Sequence, residues 1–268
     1  MKIAFYTSDL LRLKSLVWSL TKRELSSRFR GSLLGSLWAV LQPIAVVSIF
    51  YYVLVIIFKT RWSDSNSSNG DYIVGMFIGL LIYNLFAETI SRSTTSLTSN
   101  INYVKKIVFP ITILPVVQLC FASINYLIGM VVLIIFGYFW GLLTLSYCWI
   151  LIPFCVAPVL MWALGLSWIT SALNVYFRDT NVIVPLLLQA TMFLSPVFYN
   201  TDRLTPGAKA ALSWSPLTIP ITELRRILMG DHSADFAQLL FPTITGAVVL
   251  VLGFWLFRKT KVGFADVL

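Results

Sequence analysis

Charge is what this sequence has least of. Only 12% of its 268 residues are Asp, Glu, Lys or Arg, against roughly 25% in a soluble domain. Hydrophobic residues make up 58%, and the mean hydropathy is +0.84. That balance excludes a soluble globular fold and leaves an all-α polytopic membrane protein. Acidic residues are scarcer than basic ones, 11 against 20. They are scattered singly, with no D-x-D, so an integral membrane glycosyltransferase, open on composition alone, has no site for a metal-bound nucleotide sugar. No G-x-x-x-x-G-K-[ST] cradle for ATP phosphates occurs. Of three cysteines, Cys148 and Cys155 lie about 10 Å apart along a helix, too far to bridge, and all three read as packing residues. The single histidine, His232, gives no ligand set for a metal.

What is present is a series of long apolar runs. Leu37 to Phe58 holds no charged residue and is about the length that crosses a bilayer. It is too long for a cleaved signal segment. Lys and Arg crowd on its N-terminal side, which places the amino end in the cytoplasm. Before it, Leu10, Leu13, Leu16, Val17 and Leu20 recur at helical steps, describing an amphipathic helix within 1–36 that carries Trp18 and lies at the membrane surface or against a partner. Further spans are expected at about 72–88, 110–140, 147–173, 182–199 and 238–257. The uncharged run Ile107–Phe177 would be roughly 100 Å as one helix and must fold back, with a turn near Gly141–Ser146 inside an aromatic belt. Residues 200–235 mix Pro with Glu223, Arg225 and Arg226, and read as re-entrant or interfacial helices before the last span. With both termini inside, fourteen of the twenty basic residues are cytoplasmic, so the net charge of +9 reflects topology rather than nucleic-acid binding.

Four groups of residues resemble one family. The run Glu24–Trp38 with Gln42-Pro43 is similar to the start of ABC-2 type permeases that export O-antigen, capsule or teichoic acid, with Phe29 where the family usually has Tyr. Asn102–Pro110 with Leu114-Pro115 matches next. Leu173–Asp179 with Leu188-Gln189 and Ser195–Tyr199 follows, and then Ser215-Pro216-Leu217 with Glu223, Arg225 and Gly230. The resemblance covers nearly the whole chain and implies one ABC-2 transmembrane domain over 37–268. It also implies a homodimer in the inner membrane, served by two copies of a cytoplasmic ATPase that hold the ATP and Mg²⁺, and a lipid-linked glycan as substrate. O-antigen is the favoured substrate.

The resemblance makes 93–106 and 174–181 the segments that transmit ATPase closure, with Asn102, Lys105, Lys106, Arg178 and Asp179 as coupling residues. Lys105 and Lys106 are equally topology determinants, and Arg178-Asp179 could be a local pair capping a helix end. Arg28 and Arg30 suit the pyrophosphate of a lipid carrier or anionic head groups. Tyr51, Tyr83, Phe86, Tyr126, Phe193 and Tyr199 could line a glycan conduit, or only pack. Glu223, Arg225 and Arg226 are candidates for a re-entrant gate. An ABC-2 exporter of a drug or lipid and an ATP-independent channel are the remaining alternatives.

Overall fold

The computed structural model describes residues 2–28, 30–59, 69–104, 109–143, 146–201, 204–229 and 235–267, and all regular structure among them is helical. α1 (Lys2–Arg28) leads into α2 (Trp38–Tyr51), which continues as a π-helical turn over Tyr52–Ile57. α3 (Asn69–Ser96), α4 (Ile101–Val104), α5 (Ile113–Phe139) and α6 (Ile152–Tyr176) follow. The chain then forms α7 (Thr180–Phe193), α8 (Pro206–Ser213), α9 (Thr218–Met229), α10 (Phe236–Thr260) and α11 (Phe264–Val267). Five helical stretches are long and apolar enough to span a membrane: Trp38–Ile57, Gly70–Ser96, Ile113–Phe139, Tyr147–Tyr176 and Phe236–Gly263. The chain is a polytopic membrane protein.

The fifth expected span, 182–199, is helical only over Thr180–Phe193. Fourteen residues cover about 21 Å, short of the roughly 30 Å of hydrocarbon. Pro196 explains the stop: it has no N–H to continue the ladder and disfavours helical geometry at Ser195. In the opposite sense, α3 runs past its expected end near 88 to Ser96 despite a polar sequence. Its hydroxyls bond back along the helix, Thr94 Oγ1 to the Ile90 carbonyl at 2.8 Å and Ser96 Oγ to the Ser93 carbonyl at 2.7 Å, so the polar side chains serve the helix itself.

α3 is the central helix, buried along most of its length against α5, α6, α7 and α9. α6 and α10 cross almost backbone to backbone. A Cβ added at Gly253 would lie 2.2 Å from the Gly165 carbonyl oxygen, and one at Gly165 would lie 2.6 Å from that of Val249. Small residues at such crossings let helices gain dispersion contact where a lipid solvent supplies no hydrophobic drive. At one end of the bundle, Leu97, Leu114, Trp168, Ala172, Val175, Phe257 and Phe264 form a second core that gathers α3, α5, α6, α10 and α11. α1 sits at this same end. Its Leu13, Leu16, Val17 and Leu20 pack on Ile113 and Val117 of α5, so this apolar stripe is covered within the chain, while Trp18 stays outward under the Lys22 ammonium, 5.3 Å from the ring. Between α1 and α2 the backbone turns through Gly31 and Gly35, at φ +83° and +50°. Only glycine holds that conformation without strain, which accounts for the spacing of the two in the motif.

Candidate functional site

Charge gathers where α1 meets α3 and α5. Arg28 donates to Glu88 at 3.3 Å and to the Gln42 side-chain carbonyl at 2.8 Å, while Asn125 donates to the other Glu88 oxygen at 2.9 Å. One turn away, Arg92 donates to Glu24 at 3.1 Å and to Gln118 at 2.9 Å. Phe121 lies beside both guanidinium groups, 3.9 Å from that of Arg92 and 5.5 Å from that of Arg28. The network is built from helical spacings: Glu24 and Arg28 on α1, and Asn84, Glu88 and Arg92 on α3, each four residues apart. Charges at membrane depth persist when they are paired in this way. Arg30 lies outside it and is exposed.

The two predicted coupling segments meet. Asn174 Nδ2 donates to Thr98 Oγ1 at 3.3 Å, joining the end of α6 to the turn after α3. Asn102 is exposed on α4; its neighbour Tyr103 accepts a 2.7 Å hydrogen bond from Arg23 of α1 and stacks on Phe109 at 4.5 Å. Lys105 and Lys106 lie outside the described residues, as does Phe29. Arg178 and Asp179 form the exposed turn between α6 and α7. Asp179 occupies the N-cap position of α7, yet its side chain makes no capping bond, and neither side chain pairs with a described residue. α1, α4 and this turn therefore share one end of the bundle.

Among the described charged residues of the 200–235 region, Glu223 and Arg225 are buried. Arg225 donates to the carbonyls of Gly75 at 2.8 Å, Val197 at 2.8 Å and Tyr199 at 3.3 Å. It thus fastens α9 to α3 and to the irregular segment after α7, where Tyr72 also donates to the Phe198 carbonyl at 2.8 Å. Glu223 is 1% exposed, accepts the Asp235 N–H at 2.7 Å and pairs with Arg226 at 3.1 Å. Asp235 caps α10 through the N–H groups of Ala237 and Gln238, and its hydrogen bond from the Gln238 side chain holds its carboxyl below the ordinary value.

The six aromatics do not converge on one surface. Phe86 is buried in the main core; Tyr83 donates to the Leu188 carbonyl at 3.1 Å; Tyr51 is half-buried. Phe193 is exposed and, with Tyr199, sits beside a pair absent from the sequence reading, Phe198 and Phe50, whose rings are 4.9 Å apart. Tyr126 lies elsewhere, on a cavity between α2, α3 and α5. Asn84, Arg92, Gln118 and Asn125 were also absent from that reading, and Glu24 and Gln42 entered it only as members of the first motif. The four-residue step of Asn84, Glu88 and Arg92 within an apolar helix was the available signal.

Residues 15–229 match the family model of the ABC-2 type transporter. A Klebsiella pneumoniae protein, O-antigen export system permease protein RfbA, is 27% identical over 251 residues, 93% of each chain. Its Myxococcus xanthus namesake is 26% identical over 260 residues, 96% of this chain and 97% of its own. The Escherichia coli polysialic acid transport protein KpsM is 24% identical over 255 residues, 92% and 94% respectively.

Proposed function

We propose, because this chain belongs to the ABC-2 type transporter family, that it is the transmembrane subunit of an ATP-driven exporter of a surface polysaccharide, O-antigen foremost. The observation that carries the reading is likeness along the whole length to proteins named as O-antigen export permeases, not to an isolated segment. Capsule export is the second reading, favoured by the similarity to the polysialic acid transport protein.

In this reading the chain works as a homodimer in the bacterial inner membrane, with both termini cytoplasmic and no part for nucleic acid. Two copies of a separate ATPase, holding ATP and Mg²⁺, dock at the end that carries α1, α4 and the α6–α7 turn. The Thr98–Asn174 and Arg23–Tyr103 bonds support this role, because a push on α4 or on Arg178-Asp179 reaches α3, α6 and α1 through packed side chains and not through loops. Lys105 and Lys106, as the sequence resemblance implies, take the same coupling role. Arg30, before α2, stands where the pyrophosphate of a lipid-linked glycan enters, with Arg28 held beside it by Glu88, and Phe193 and Tyr199 beside Phe198 offer ring faces along its exit. Glu223, Arg225 and Arg226 hold the re-entrant helix that closes the far side. A deletion strain should lose surface O-antigen and accumulate the lipid-linked glycan on the inner leaflet; surface glycan that persists without the chain overturns the reading.

A further inference from the structure

A cavity of about 350 Å³ lies between α2, α3 and α5, with Arg28 of α1 at its edge. Small-molecule sites span roughly 300–1,000 Å³. Its polar groups are Arg28, Gln42, Asn84, Glu88, Asn125 and Tyr126; the remaining wall is apolar. Among the described residues that line it, the one cation and the one anion face each other at 3.3 Å, so this lining is close to neutral. A phosphate placed there meets the Glu88 carboxylate, and an ammonium meets the Arg28 guanidinium. What the cavity offers in excess is uncharged hydrogen bonding. Tyr126 is only 7% exposed and its hydroxyl has no hydrogen-bond partner among the described residues, a state that buried polar atoms rarely hold. The Asn84 carboxamide makes no hydrogen bond with a described residue and lines the same space.

We propose that this cavity binds a neutral, hydroxyl-bearing group, one or two sugar rings on a membrane-anchored lipid, using Tyr126, Asn84 and Asn125 for the hydroxyls and the apolar wall for the ring faces. Sugars present both kinds of surface, with C–H faces between rims of hydroxyls. Resting on the export reading, the site holds the first sugars of the substrate inside one subunit, apart from any phosphate contact of Arg30.

The test uses the full chain in phosphatidylcholine nanodiscs and three probes sharing one diazirine-bearing alkyl chain: a β-glucoside, a phosphate and the bare chain. The glucoside should label peptides of α2, α3 and α5 saturably and about tenfold more than either other probe, a difference of affinity that hydrogen-bonded sites reach. Tyr126→Phe keeps the ring and removes only the oxygen, and with Asn84→Ala it should abolish that excess at unchanged melting temperature. Equal labelling by all three probes, or by glucoside and phosphate, overturns the proposal, and so does glucoside labelling indifferent to both substitutions. Glycan export that depends on the chain, without glucoside labelling, sinks the cavity proposal and leaves the export reading. Selective labelling in a chain that export does not need supports the cavity and sinks the export reading.

Discussion

α2 and α9 invert the rule that apolar helices go inside. α2 and its π-helical turn carry no charge and bury only Val47 and Val55, leaving Leu41, Ile44, Ile49 and Ile56 exposed. α9 is twelve residues long, carries Glu223, Arg225 and Arg226, and buries eight of its residues, Glu223 and Arg225 among them. In water the hydrophobic effect would sort them the other way. In a bilayer the surroundings are as apolar as leucine, so burial is decided by which groups need a polar partner and which surfaces fit. α9 must be inside because its charges and the carbonyls of a broken chain satisfy each other.

The sharpest way to break this contrast is Arg225→Leu, which leaves three carbonyls without their donor. A buried acceptor left without its donor costs about 1–3 kcal/mol. The variant should lose its monodisperse peak in detergent chromatography and melt far earlier; an unchanged melting curve would mean that α9 is held by shape alone. Gly253→Val tests fit without charge. Its Cβ collides with the Gly165 carbonyl, and overpacking of about 1–3 kcal/mol should appear as a lower melting temperature, partly recovered by no substitution at Gly165, which is already the smallest residue. Arg178→Ala and Asp179→Ala probe an exposed turn, where export should fall about tenfold, or ~1.4 kcal/mol of coupling, with insertion and melting unchanged. Full export by both variants removes the coupling role. The smallest effect is expected on α2: Ile49→Ala should change the stability of the isolated chain by under about 0.5 kcal/mol. A larger loss would place that face against a second copy and reduce the contrast with α9 to a property of the single subunit.

The spans were legible because twenty uncharged residues in a row have few alternatives, and the turn near Gly141 fell within its expected aromatic surroundings, Tyr138, Phe139, Trp140 and Tyr147 all being exposed. Less legible were the ends. Thr94 and Ser96 lay beyond the expected end of the span, but their hydroxyls close on the helix behind them, a choice that propensity alone does not reveal. The meeting of Asn174 with Thr98, 76 residues apart, was not readable from either segment, although both had been singled out. Arg225 was recognised as unusual, yet its three partners are backbone carbonyls, which every residue carries and no sequence pattern marks. The cluster of Glu24, Arg28, Glu88 and Arg92 was half visible: Arg28 stood out as a phosphate candidate, and only the packing of α1 on α5 brings it to Glu88 and Arg92 of α3.

The fastening of Arg225 to Gly75 also constrains the order in which the protein is made. The two residues are 150 positions apart, so α3 is synthesised and delivered to the membrane long before its partner leaves the ribosome. Until then, the Gly75 carbonyl has no guanidinium to accept from. A chain arrested before Thr218 therefore lacks the donor that the carbonyls of Gly75, Val197 and Tyr199 share.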